Sequence, residues 1–149
     1  MKDGTPQTAT RAYWRLFALE LVGAGIIVWQ GVPMYRSFLP GRDISPVDAD
    51  WIAWAVLAVL LLQAPYWIAT RKVFAHAAIR KSLIGGHFVL FVARLNFILA
   101  SSLFVVIVFQ RRDEITFVWW RALLLFAVLF AIFCFSLELE RLSRRMMAE

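Results

Sequence analysis

Four apolar stretches, Tyr13–Tyr35, Trp51–Thr70, Phe88–Phe109 and Phe117–Leu137, take up most of the chain and leave only short connections between them. Each has about the 20 residues that a helix needs to cross roughly 30 Å of hydrocarbon. A helix satisfies its own backbone hydrogen bonds, which a bilayer core requires of anything that spans it. The sequence therefore predicts an all-α, polytopic membrane protein with a single four-helix transmembrane domain over residues 1–149. Composition supports this, because 62% of the 149 residues are hydrophobic and only 17% are charged, whereas the apolar share of a soluble domain is nearer half. Lys2, Arg11 and Arg15 precede the first stretch in the manner of a signal peptide. Its core is longer than a signal's, however, and Gly31-Val32-Pro33-Met34-Tyr35-Arg36 offers no small-x-small cleavage site, so a retained helix is expected.

The net charge of +6 is unevenly placed. Ten of the sixteen Lys/Arg lie on one side of the spans: Lys2, Arg11, Arg15, Arg71, Lys72, Arg80, Lys81, Arg141, Arg144 and Arg145. Arg36, Arg42, Arg111 and Arg112 lie on the other side among Asp43, Asp48, Asp50, Asp113 and Glu114, and Arg94 and Arg121 fall within spans. This is the positive-inside pattern, and it places both termini in the cytoplasm of a bacterial inner membrane. The same basic face should meet anionic lipid headgroups. A topology signal already accounts for the charge, so no nucleic-acid partner is expected.

Aromatic residues cluster at the span ends. Tyr13 and Trp14 open the first, Trp29 and Tyr35 lie toward its far end, Trp51 and Trp54 open the second, and Trp119 and Trp120 open the fourth. They read as headgroup-level anchors. In the loop Ser37–Asp50, Ser45-Pro46-Val47-Asp48 reads as a helix start, with Ser45 as cap, Pro46 in the first position and Asp48 reaching back. Pro65 frees the carbonyl of Leu61 and predicts a kink, and Gln63 is placed to hydrogen-bond across helices. Arg71–His87 reads as a short interfacial helix, with Gly85-Gly86 breaking the chain before the third span. The tail Glu138–Arg145 reads as a charged extension of the fourth helix into the cytoplasm, supported by opposite charges three and four apart.

Cofactors, metal sites and catalysis are not expected. His76 and His87 share one connection, whereas a haem needs ligands on opposing sides and zinc needs three or four at fixed spacing. Cys134 is the single cysteine. It has no histidine at comparable depth to activate it, and no disulfide partner. No Gly-rich phosphate loop or Ser-centred elbow is present.

What remains is the polar and small residues inside the spans. An ionisable group in hydrocarbon normally faces the protein interior, pairs, or lines a polar path. Glu20 lies roughly 10 Å beyond Tyr13 and Arg94 roughly 9 Å beyond Phe88, at 1.5 Å per residue. Both helices run the same way, so the two charges reach matching depth and an internal Glu20–Arg94 pair is the expectation. Independent snorkelling of Arg94, and Glu20 as a proton or cation carrier, stay open. Arg121 is expected to reach external phosphates or Asp48, Asp50 or Glu114. Gln63, Asn96 and Ser101 complete the candidate polar contacts. Leu16, Glu20, Gly23, Ala24, Ile27 and Gly31 form one stripe on the first helix, and Ala127, Ala131 and Cys134 a shorter one on the fourth. Both read as surfaces for close helix approach, within the chain or toward another subunit.

These features predict a non-catalytic accessory, assembly or stabilising subunit that packs against copies of itself or within a larger membrane complex. In helix count and in a carboxylate on the first helix, Glu20, the chain is also similar to the small multidrug-resistance transporters. That resemblance implies the alternative, a homodimeric proton-coupled exporter of organic cations working through Glu20.

Overall fold

A computed structural model of the chain describes residues 6–37, 49–110 and 119–148. Every regular element among them is helical: α1 (Pro6–Ser37), α2 (Ala49–Ile68), α3 (Leu83–Gln110) and α4 (Trp119–Met147). A π turn (Ala69–Val73) and a 3-10 turn (Phe74–His76) follow α2 directly. All four helices are long and apolar enough to cross a membrane. Among the described residues the protein is all-helical, with four helices fit to span a membrane.

The helices alternate in direction. Gln30 near the end of α1 donates to the carbonyl of Trp51 near the start of α2. At the other end, the backbone N–H of Ala78 donates to Thr10 Oγ1 on α1, and that of Ser82 to the carbonyl of Met146 on α4. The starts of α1 and α3 and the ends of α2 and α4 thus share one end of the bundle. Arg11, Arg15, Arg71, Lys72, Arg80, Lys81, Arg141, Arg144 and Arg145 lie there, and it is called the basic end below. Arg144 and Arg145 occupy the last turn of α4, where cations complement the helix dipole.

Packing is sequential: α1 against α2, α2 against α4, and α4 against α3. The order across the bundle is therefore α1–α2–α4–α3, and α1 and α3 share no interface of comparable extent. Gly23 sets the first contact. A Cβ there would stand 3.0 Å from Leu61 Cβ and 3.1 Å from the carbonyl oxygen of Ala58, so any larger residue would make α2 give by a few tenths of an ångström. The buried core gathers toward the basic end around Tyr13, Phe17, Leu62, Phe135, Leu139 and Leu142. Val28, Trp29, Phe88, Phe91 and Ile98 face outward, as lipid-facing side chains do.

Several local expectations change. Gly85 and Gly86 do not break the chain; they lie in the first turn of α3. Ser82 caps that helix, its Oγ accepting the N–H of Gly85 at 3.1 Å. Gly86 serves contact instead, because an added Cβ would collide with Met147 and come within 3.1 Å of the Ser143 carbonyl. The connection expected as an interfacial helix is shorter and tighter, the π and 3-10 turns followed by non-helical backbone to Ser82. The proposed cap Ser45-Pro46-Val47-Asp48 lies outside the described residues.

Candidate functional site

On α1, Tyr13, Phe17, Glu20 and Gly23 recur every three or four residues and share one face. That face points into the bundle: Tyr13 and Glu20 are both 0% exposed. On α4, Ala131, Cys134, Glu138 and Leu142 form the matching inward stripe, with Glu138 2% exposed. The two helices do not pack backbone to backbone. Long side chains fill the gap between them, and the Phe17 and Phe135 rings stack at 6.2 Å and the Tyr13 and Phe17 rings at 6.1 Å. Glu138 stands opposite both Tyr13 and Glu20 and within reach of each.

The result is two carboxyl groups and a phenol enclosed by aromatic walls. Neither oxygen of Glu20, neither oxygen of Glu138, nor Tyr13 Oη completes a hydrogen bond among the described residues. Burying such groups without partners costs several kcal/mol in an apolar surrounding, so the cluster is not a by-product of good packing. From α2, Gln63 approaches the site beside Cys134. Its Oε1 accepts the Trp67 indole N–H one turn further along α2 at 2.9 Å, and its Nε2 is buried without a partner. The basic end contributes Arg141, whose charge acts on Glu138, and Arg145, whose charge acts on Tyr13. Arg145 also lies over the Phe74 ring at 4.1 Å and donates to the Phe74 carbonyl. The Phe74 ring, 5.5 Å from that of Tyr13, covers the site on that side.

The expected Glu20–Arg94 pair does not form. Glu20 has no partner among the described residues, while Arg94 is exposed on α3 and lines an outer groove with Ser136 and Glu140 of α4. Matching depth is no guarantee of contact, because α3 packs chiefly on α4 and turns Arg94 to the outer groove. Two further expectations are corrected. Tyr13 is no headgroup anchor; its neighbour Trp14, 44% exposed, is the outward-facing one. Glu138, read as part of a solvated tail, is interior, while Glu140 two residues on takes the surface ion pair with Arg144 at 2.7 Å.

The remaining candidates are scattered. Gln63 accepts from Trp67 of its own helix and also approaches Cys134 of α4. Asn96 faces α4, its Nδ2 donating to Ser136 Oγ at 2.9 Å, and Ser136 Oγ donates in turn to the Ile132 carbonyl at 3.0 Å. Ser101 is exposed and returns its hydroxyl to the Phe97 carbonyl of its own helix. The Arg121 side chain lies outside the described residues. Gly23, Gly31, Ala131 and Cys134 are buried, and Ala24 and Ala127 partly so. No known protein family matches the chain, and comparison with curated proteins and with solved structures finds no significant match.

Proposed function

We propose that this chain is a small ion-coupled membrane carrier whose coupling site is the Glu20–Glu138 carboxyl pair. One observation carries the reading: Glu20 is fully enclosed and faces a second acid instead of a base. An intramembrane arginine beside Glu20 would hold it permanently ionised and compensated. A second carboxyl does the opposite and leaves a site that needs a cation or a proton to be electrically tolerable. Four helices, a carboxylate on the first, and organic cations as cargo form the simplest version, working as a homodimer. The positive-inside pattern sets the basic end in the cytoplasm, and reporter fusions at Ser45 and Glu149 should then report opposite sides. Reconstituted into vesicles, the protein should take up organic cations under an imposed ion gradient. Glu20→Gln and Glu138→Gln should each abolish that uptake, and Glu140→Gln should not. Equal uptake in all three variants would overturn the carrier.

A second reading, a non-catalytic accessory or stabilising subunit, draws support from α3. Among the described residues it packs chiefly on α4, and Phe88, Phe91 and Ile98 are left exposed. Purification in mild detergent separates the two: a stoichiometric membrane partner, together with no ion-driven uptake, favours the subunit.

A further inference from the structure

We propose that Tyr13, Glu20 and Glu138 form an intramembrane proton-binding site, in which the two carboxyl groups hold one proton between them and the Tyr13 phenol donates its hydrogen bond to the ionised member. This rests on the carrier reading for its purpose but not for its chemistry. Two carboxyls alone would be only an acidic cluster. The phenol is the independent observation, since Tyr13 is wholly enclosed, its Oη faces Glu138, and that oxygen completes no hydrogen bond among the described residues.

A proton fits this site better than a metal ion. Hard cations such as calcium need six to eight oxygen ligands, and a proton needs two. Among the described residues the four carboxylate oxygens and one phenol oxygen are the unpartnered side-chain oxygens at the site, because Gln63 Oε1 is already taken by Trp67 and the walls are Phe17 and Phe135. The surrounding charge is uneven. The titratable and charged groups facing the site are Tyr13 and Glu20 from α1 and Cys134, Glu138, Arg141 and Arg145 from α4, while α2 contributes the neutral Gln63 and the turn after it the apolar Phe74. One proton leaves the carboxyl pair with a single negative charge, which Arg141, acting on Glu138, draws to that side, while Arg145 acts on Tyr13. The geometry therefore assigns unequal roles. Glu20, deeper and without a cation, carries the proton, and Glu138, nearer Arg141, carries the charge. On transfer, the O–H bond of Glu20 breaks as one forms on Glu138, with no net change in the pair.

Infrared spectroscopy of the purified full chain tests this through the stretching band of a protonated carboxyl group. At neutral pH the wild-type protein should show that band. Glu20→Gln should lose it, Glu138→Gln should keep it, and Tyr13→Phe should keep it with an altered pH profile. Absence of the band from wild-type protein overturns the proposal, and that result needs no variant to fold. So does its disappearance on adding sodium or magnesium ions, which would make the site a metal site. The band with no ion-driven uptake would leave the proton site standing and remove the carrier. Uptake driven by a sodium gradient without the band would do the reverse.

Discussion

The two halves of the bundle bury different things. Away from the basic end the helices enclose a narrow cleft of about 40 Å³ lined by Ile27, Gly31, Ala55, Phe104 and Leu129, with the neutral Gln30 at its edge bonded to the Trp51 carbonyl. At the basic end they enclose Tyr13, Glu20 and Glu138, groups that gain nothing from an apolar surrounding. The apolar half shows that these helices can associate without buried charge, through small residues and dispersion contacts. The acids in the other half are therefore surplus to the fold, and this is the physical ground for treating them as the working site.

The contrast can be broken in order of expected effect. Phe17→Ala removes the ring stacked between Tyr13 and Phe135 and should cost about 3 kcal/mol of unfolding free energy. Phe104→Ala, at a half-buried ring in the apolar half, should cost clearly less. Reversible unfolding in mixed micelles measures both, and equal costs would erase the distinction between a dense half and a looser one. Gly23→Ala should cost about 1–3 kcal/mol, because Leu61 and the Ala58 carbonyl have little room to give. Gly25→Ala, with open space at its Cβ, should stay within about 0.5 kcal/mol by the same assay. Replacing Asn96 by Leu breaks its bond to Ser136 between α3 and α4, and about 0.6 kcal/mol is expected, the usual worth of such bonds in membranes. Smallest is Glu140→Ala. Its pair with Arg144 is largely exposed, so about 0.3–0.5 kcal/mol is expected, and added salt should shrink it further.

Helix number and class could be read from the sequence because block length and bilayer thickness fix them with no knowledge of neighbours. The site was half legible. Glu20 stood out as a charge within an apolar run, and the stripe through Gly23 and Gly31 gave its face. Glu138 was hidden by where the fourth span was ended, at Leu137, which consigned the next residue to solvent. The signal was present nonetheless: the stripe Ala127, Ala131, Cys134 continues four residues on to Glu138 and four more to Leu142. Tyr13 was misplaced for a related reason, since an aromatic at a span end fits an interfacial belt and a buried face equally well. Arg94 failed differently. Depth along a helix follows from rise per residue, but which helix lies beside which depends on the packing order, and no pattern within a single span encodes that.

The central claim is that Glu20 faces Glu138 across the bundle and not Arg94, and disulfide trapping tests that contact directly. With Cys134→Ala as background, the paired variant Glu20→Cys/Glu138→Cys should cross-link rapidly within one chain under mild oxidation in the membrane. The pair Glu20→Cys/Arg94→Cys should remain reduced, because Glu20 is enclosed while Arg94 is exposed on the outer groove between α3 and α4. Efficient trapping of the Glu20–Arg94 pair with none for Glu20–Glu138 would contradict the account and restore a charge-compensated interior.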